Sequence, residues 1–296
     1  MEKKRALNVD LPGSISEFLG VMKEFRLKRD IYKILFRGKG LEFEAYRDFS
    51  PDDDASYIDW KASSRAQKLL VKQYKEERNL KVMFLIDVGD NMISGSAERL
   101  KCEYVTELVA AFSRLILDAN DRVGFYLFSD RLKHFIQPKS GEKHFQFCMD
   151  LLSSAENYGG QTNIDGALDG AMKYLDHSIN SVIIISDFLK VSRQTEKRIN
   201  LISHSFETLV IRIRDLLDMT LPDINEEIVV TNPFGEQVVI NPKIVRAEYE
   251  LNAHEQAKYV EEFLKKSEAD FLDLITKQRF AVPLALFLKE RIANKL

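Results

Sequence analysis

The chain has 296 residues, with 43 basic against 46 acidic side chains, a formal net charge of −3 and a 45% hydrophobic share. That is enough for one large or two modest packed domains, and the near balance of charge excludes a chain that holds nucleic acid or anionic membrane through bulk charge. No stretch reaches the roughly 18 apolar residues of a membrane span; the longest run, Phe280 to Leu288, is interrupted by Pro283.

The first ten residues carry positive charge with no apolar segment behind them, and Cys102 and Cys148 follow no metal-binding spacing and lie in helical patterns. A cytoplasmic protein with small buried cysteines is therefore expected. Ile15 to Phe25 has amphipathic helical spacing, and a polar, turn-rich stretch follows up to residue 81. Within it, residues 42–59 hold seven acidic groups against one Arg, and residues 61–81 hold seven basic groups against two Glu. Blocks this unequal are expected to pair with each other, each exposed pair contributing only about 0–1 kcal/mol. Trp60 and Tyr74, interleaved with Arg65 and Lys72, read either as interface anchors or as core packing.

From Lys81 the pattern changes. Val82-Met-Phe-Leu-Ile86 is a run of five apolar residues ending in Asp87, which reads as a strand buried on both faces with a carboxylate at its C-terminal end. Open α/β sheets bind ligands at that end. A helix over Ala97 to Asn120, a strand at Val123 to Phe128, a short strand at His134 to Ile136 and helices over Lys143 to Leu152 and Ile164 to Leu175 follow. A strand at Ser181 to Ser186, a helix over Gln194 to His204 and a strand at Glu207 to Ile213 complete the series. The alternation predicts an α/β fold: a doubly wound, mostly parallel sheet with helices on both faces. Residues 226–240 read as a hairpin around Asn-Pro-Phe-Gly, and Ala253 to Leu296 as helical with a break near Pro283. The expected organisation is an N-terminal flank over residues 1–81, a central domain over 82–215, and a C-terminal hairpin and helices over 216–296 that pack with the flank.

Three loops carry oxygen donors able to converge at the strand ends: Asp87-Val-Gly89-Asp90-Asn91, Gly159-Gly-Gln-Thr162-Asn-Ile-Asp165, and Ser186-Asp187. Two carboxylates, a hydroxyl and a side-chain amide suit a hard cation such as Mg²⁺ or Mn²⁺, which prefers octahedral oxygen ligands. This spacing resembles the von Willebrand factor A domain, whose metal-ion-dependent adhesion site uses Asp-x-Ser-x-Ser, then Thr, then Asp. The resemblance maps that site onto Asp87, Gly89, Asn91, Thr162 and Asp187, so the metal ligands it implies are Asp87, Asn91, Thr162 and Asp187. Gly89 has no side-chain oxygen and Asn91 offers an amide where the pattern has serines. The alternative is that Asp87, Thr162 and Asp187 serve as helix caps and loop hydrogen-bond partners.

The stretches Gly38 to Phe43, Tyr46-Arg-Asp-Phe-Ser-Pro-Asp-Asp53, Ile58-Asp59-Trp60-Lys61 through Arg65, and Leu70-Val-Lys-Gln-Tyr74-Lys-Glu-Glu77 resemble the bacterial and archaeal family called domain of unknown function 58, over roughly residues 35–190. The resemblance implies a von Willebrand A-like domain that binds protein without turnover, as an adaptor or chaperone-like partner of a MoxR-type AAA+ ATPase. In that mechanism a partner carboxylate completes the coordination of the cation. Two enzyme readings compete. Pro51-Asp52 followed by Asp59-Trp60-Lys61 imitates a metal-dependent nuclease, but its strand context is short and polar. Asp87 matches the nucleophile position of haloacid-dehalogenase-like phosphatases, but the general acid expected two residues later is Gly89. No phosphate-binding P-loop, nucleophile elbow or zinc-protease pattern is present.

Overall fold

A computed structural model describes residues 6–25, 27, 42–50, 58–75, 80–96, 98–231 and 236–295. Helix α1 (Leu11–Glu24) begins under the Asp10 side chain, which accepts from the Gly13 amide. Strand β1 (Glu42–Asp48), helix α2 (Trp60–Ala66) and strand β2 (Leu70–Lys75) form a small unit in which β1 and β2 pair antiparallel. The register sets the acidic strand against the basic one, with Glu42 opposite Lys75, and Lys68 binds Asp48 at 2.7 Å. One pair between the two charge blocks is therefore present, while Asp52 to Asp54 and Glu76 to Arg78 lie outside the described residues. Trp60 is 66% exposed, which removes the core-packing reading of that residue.

The central body is a six-stranded sheet in the order β10-β7-β6-β3-β4-β5. Its strands are β3 (Lys81–Asp87), β4 (Arg122–Phe128), β5 (Leu132–Lys139), β6 (Ser181–Ser186), β7 (Glu207–Arg214) and β10 (Asp270–Ile275), of which β5 alone runs antiparallel to its neighbour. Successive side chains on a strand point to opposite faces, so the apolar run of β3 feeds two cores. Val82, Phe84 and Ile86 join the core under α1, α3 (Lys101–Asp118), α4 (Glu142–Leu152) and α8 (Ala281–Lys295). Met83 and Leu85 join the other, under α5 (Ile164–Ala171), α6 (Arg193–Ser205) and α7 (Pro242–Lys266). Burying one such side chain contributes about 1.5–3 kcal/mol, which is why these short strands hold the centre.

Helix α1 and the C-terminal elements β10 and α8 are built into this body. Helix α1 lies over α3, so α3 is covered by the sheet on one side and α1 on the other and is buried along nearly its whole length. Phe18 of α1 packs on Phe280 just before α8, with ring centroids 6.4 Å apart. The hairpin is present as β8 (Ile228–Thr231) and β9 (Gln237–Ile240), its Asn-Pro-Phe-Gly turn lying outside the described residues.

Three sequence expectations change. Residues 270–275 are not helical but form β10, because parallel pairing with β7 from Asp270↔Leu209 to Ile275↔Arg214 outweighs a helical reading of six residues. Pro283 does not break a helix; it lies in the first turn of α8, where its missing N–H leaves no bond unmade. Helix α3 starts at Lys101, after residues 98–100 in non-helical backbone, since the Glu103 carboxylate caps the extended Leu100 amide at 3.0 Å; Ala97, the expected start, lies outside the described residues.

Candidate functional site

The chain runs from β3 through α3 to β4 on one side of β3, and later returns to β6 on the other. The strand order thus reverses between β3 and β6, and the crevice outside such a switch point is where doubly wound sheets bind ligands. Asp87 ends β3 and Ser186-Asp187 end and follow β6, so both carboxylates stand at that point.

Asp87 is fully buried, and both of its oxygens are engaged. Oδ1 accepts from the Gly89 amide at 2.9 Å and the Thr162 hydroxyl at 3.1 Å, while Oδ2 accepts from Asn91 Nδ2 at 3.0 Å and the Ser186 hydroxyl at 2.8 Å. Burial, then the charge of Asp187, raise its pKa to about 6, against the opposing pull of these hydrogen bonds. The Asn91 amide is engaged at both ends, because its Oδ1 shares the single Thr162 hydroxyl proton with Asp87 Oδ1. Gly89 is required by this closure: a Cβ there would lie 2.6 Å from Asn91 Oδ1 and closer still to Thr162 Oγ1. The second loop approaches through Gly159 and Gly160, both at positive φ (121° and 90°), which glycine adopts without strain. The Gly160 carbonyl and amide bond Asp90.

Asp187 has a different partner. Lys101 Nζ lies 2.9 Å from Asp187 Oδ2 and 3.1 and 3.0 Å from the two oxygens of Asp218, with the lysine side chain 0% exposed. Burial by itself would lower the ammonium pKa; the adjacent charges of Asp187 and Asp218, with their hydrogen bonds, reverse this and raise it. The ammonium stays charged. Asp218 belongs to a short 3-10 turn after β7, and within that turn Asp215 accepts from the Ser96 amide at 2.9 Å and the Thr276 hydroxyl at 2.7 Å. One polar network therefore ties together the segments that follow β3, β6, β7 and β10. Phe188, next to Asp187, is buried with φ 55°, a left-handed backbone that costs a bulky residue about 1 kcal/mol or more. The Gln256 side chain of α7 holds its carbonyl at 2.6 Å.

Above these loops opens a cleft of about 850 Å³, within the size range of ligand sites. Its floor is formed by Asp90, Asn91, Thr162, Ser186 and Asp187, and its side by Leu217, Asp218 and Leu221. The hairpin supplies an apolar wall of Val229, Val230, Val238 and Ile240, and α7 supplies Val245, Glu248, Tyr249 and Asn252. On this wall Val238, paired with Val230, remains 43% exposed.

The structure brings Asp87, Asn91 and Thr162 into one hydrogen-bonded cluster, with Asp187 turned to Lys101. Among the described residues, no group of three or more His, Cys, Asp or Glu side chains is arranged to hold a metal ion. The nuclease-like residues are elsewhere: Asp59 caps α2 by accepting from the Lys61 and Ala62 amides, and also accepts from the Tyr46 hydroxyl, while Asp52 lies outside the described residues. Both cysteines are buried, as expected, and burial pushes their thiols up to about 11 for Cys102 and about 12 for Cys148. Sequence reasoning missed Lys101 and Asp218. The lysine had a signal, since it shares a helical stripe with Val105, Leu108 and Phe112, and a charge on such a stripe is buried only when paired. Asp218, in a polar turn, had none.

Among solved structures, the chain is similar to conserved hypothetical protein BatB from Bacteroides thetaiotaomicron, at 14% identity over 73% of this chain and 98% of that one, with a TM-score of 0.45. It is also similar to the SpRpn10 VWA domain (12%, 70% and 94%, TM-score 0.44) and to manganese-loaded TRAP protein of Plasmodium vivax (14%, 46% and 57%, TM-score 0.34). None of the curated proteins compared with the chain matches it. No helix among the described residues is long and apolar enough to cross a membrane. The family model described as "Protein of unknown function DUF58" matches residues 45–259, well over half of the chain, and the protein belongs to that family.

Proposed function

We propose that this protein is a non-enzymatic interaction module whose binding face is the cleft at the C-terminal strand ends, and that it acts as an adaptor for a MoxR-type AAA+ ATPase. The observation that carries this reading is the contrast between floor and wall. Asp87 accepts from the Gly89 amide, Asn91 Nδ2 and the Ser186 hydroxyl and shares the one Thr162 hydroxyl proton with Asn91, so both of its oxygens are committed to its own loops, whereas the hairpin wall presents Val238, 43% exposed. A von Willebrand A-like fold supports a role in protein recognition, and the family resemblance supports the ATPase as partner. Hydrolase chemistry at Asp87 would need the site to release at least one of those bonds before a nucleophile or a metal was available.

The experiment is affinity capture of a MoxR-type ATPase from native lysate in apo, ADP and ATP states, with Val238→Asp as the control. Capture by the wild type and its loss in the variant is the expected result. Failure to capture the ATPase in every nucleotide state overturns the partner, and divalent-dependent phosphatase or nuclease activity lost in Asp87→Asn overturns the non-enzymatic reading.

A further inference from the structure

We infer that the ammonium of Lys101 is this protein's resident cation: it holds Asp187, one of the four residues to which the resemblance assigns a divalent ion, so the strand-end loops are assembled without metal. Three observations carry this. First, the donor set is turned the wrong way for a metal. Position 89 has no side-chain oxygen, and Asn91 directs Nδ2, a donor, at Asp87 while its Oδ1 is taken by Thr162. A divalent cation needs oxygen lone pairs at its ligand positions, and here the nearest ones already accept hydrogen bonds.

Second, position 89 is closed as the loops stand. A Cβ there would lie 2.6 Å from Asn91 Oδ1, closer still to Thr162 Oγ1 and 3.1 Å from the Gly160 carbonyl oxygen, so the serine that the adhesion-site pattern places there requires both side chains to turn away from Asp87. Third, the positive charge at Asp187 is built in. Lys101 is wholly buried and touches only what a structural cation would touch: Asp187 after β6 at 2.9 Å and both oxygens of Asp218 after β7. Sitting at the first residue of α3, it fixes the helix that follows β3 to the ends of two other strands. A monovalent, covalently tethered ion thus does the crosslinking that a diffusible ion would otherwise do, and the ammonium's charge is spent on two carboxylates. No unsatisfied positive charge then remains there for a partner's carboxylate.

The test uses the full chain alone, so its outcome is separate from that of the ATPase capture. Mn²⁺ and Mg²⁺ are titrated into the chelator-treated wild type, Asp187→Asn and Lys101→Ala by calorimetry and thermal unfolding. The wild type should give no saturable binding and no shift in unfolding midpoint with either metal or chelator. Lys101→Ala, left with two facing carboxylates, should unfold about 5–10 °C lower and recover part of that loss with Mn²⁺. Saturable metal binding by the wild type that Asp187→Asn abolishes would overturn the inference, as would a folded Lys101→Ala that ignores metal. Should Lys101→Ala fail to fold, ¹⁵N NMR of lysine ammonium groups decides. The wild type should show one slowly exchanging NH₃⁺ signal, absent from Lys101→Arg and unbroadened by Mn²⁺; its absence from the wild type would overturn the inference.

Discussion

Helix α3 carries buried charge on two sides, and the two sides end differently. On one, Glu103 and Glu107 face the N-terminal segment: Glu103 accepts from the Asn8 and Leu100 amides, and Glu107 accepts from the Asp10 amide, the Ser14 hydroxyl and Arg99. On the other, Lys101 binds Asp187 and Asp218 beside the Asp87 cluster. Both groups obey the same rule, that buried charge must be paired and hydrogen-bonded. The first is sealed by the protein's own residues 8–14, whereas the second opens into a cleft with an exposed apolar wall. Satisfied charge is therefore not what sets the proposed binding face apart. The difference between the two sides is apolar surface left uncovered over a polar floor.

The largest way to break the comparison is at the sealed side. Glu107→Ala would strand Arg99 and the Asp10 amide and should cost about 3–4 kcal/mol in urea unfolding, with α1 becoming protease-sensitive. Binding through the cleft should survive in the fraction that remains folded. An unchanged unfolding midpoint would show that the N-terminal segment is not held by this carboxylate.

A somewhat smaller effect belongs to the open side. Asp87 titrates at about 6 in the fold and near 3.8 when unfolded, so between those values the folded state binds the extra proton. Its contribution to stability is therefore least favourable above about pH 6 and improves as pH falls toward about 4, by up to about 2–3 kcal/mol. Urea unfolding of the wild type and Asp87→Asn at about pH 7 and about pH 4.5 reads this out. The wild type should gain relative to the variant at the lower pH, and parallel changes in both proteins would contradict it.

Val238→Asp sharpens the contrast without touching either charge group. Partner affinity should fall at least about tenfold, while stability changes by under about 0.5 kcal/mol, as for most exposed substitutions. The smallest effect is at the exposed Lys68–Asp48 pair of the N-terminal unit, where Lys68→Ala should cost less than about 1 kcal/mol and less still at high salt. A large loss there would mean that paired charge matters as much outside as in.

Legibility in the sequence follows the range of the interactions concerned. Val82 to Ile86, Val182 to Ile185 and Leu209 to Ile211 are uninterrupted apolar runs, and such runs are stable only when buried on both faces, so the parallel sheet and Asp87 at its edge are readable locally. Gly159, Gly160 and Thr162 are readable as a loop because paired glycines and polar residues punctuate the chain there. The strand at Asp270–Ile275 is not, because its few apolar residues fit a helix as well as a strand until β7 lies beside them.

By itself the sequence determined the fold class, the place of Asp87, Thr162 and Asp187 at one end of the sheet, and the family to which the chain belongs. Only the tertiary structure decided what those residues do to one another. Lys101 meets Asp187 across 86 positions and Asp218 across 117, and the hairpin over residues 228–240 became the wall of a cleft whose floor begins at residue 90. The reason is physical. Hydrophobic periodicity reports how a segment meets the core, whereas the partner of a buried ion is set by which chain ends the sheet brings within 3 Å, and no local pattern encodes that distance.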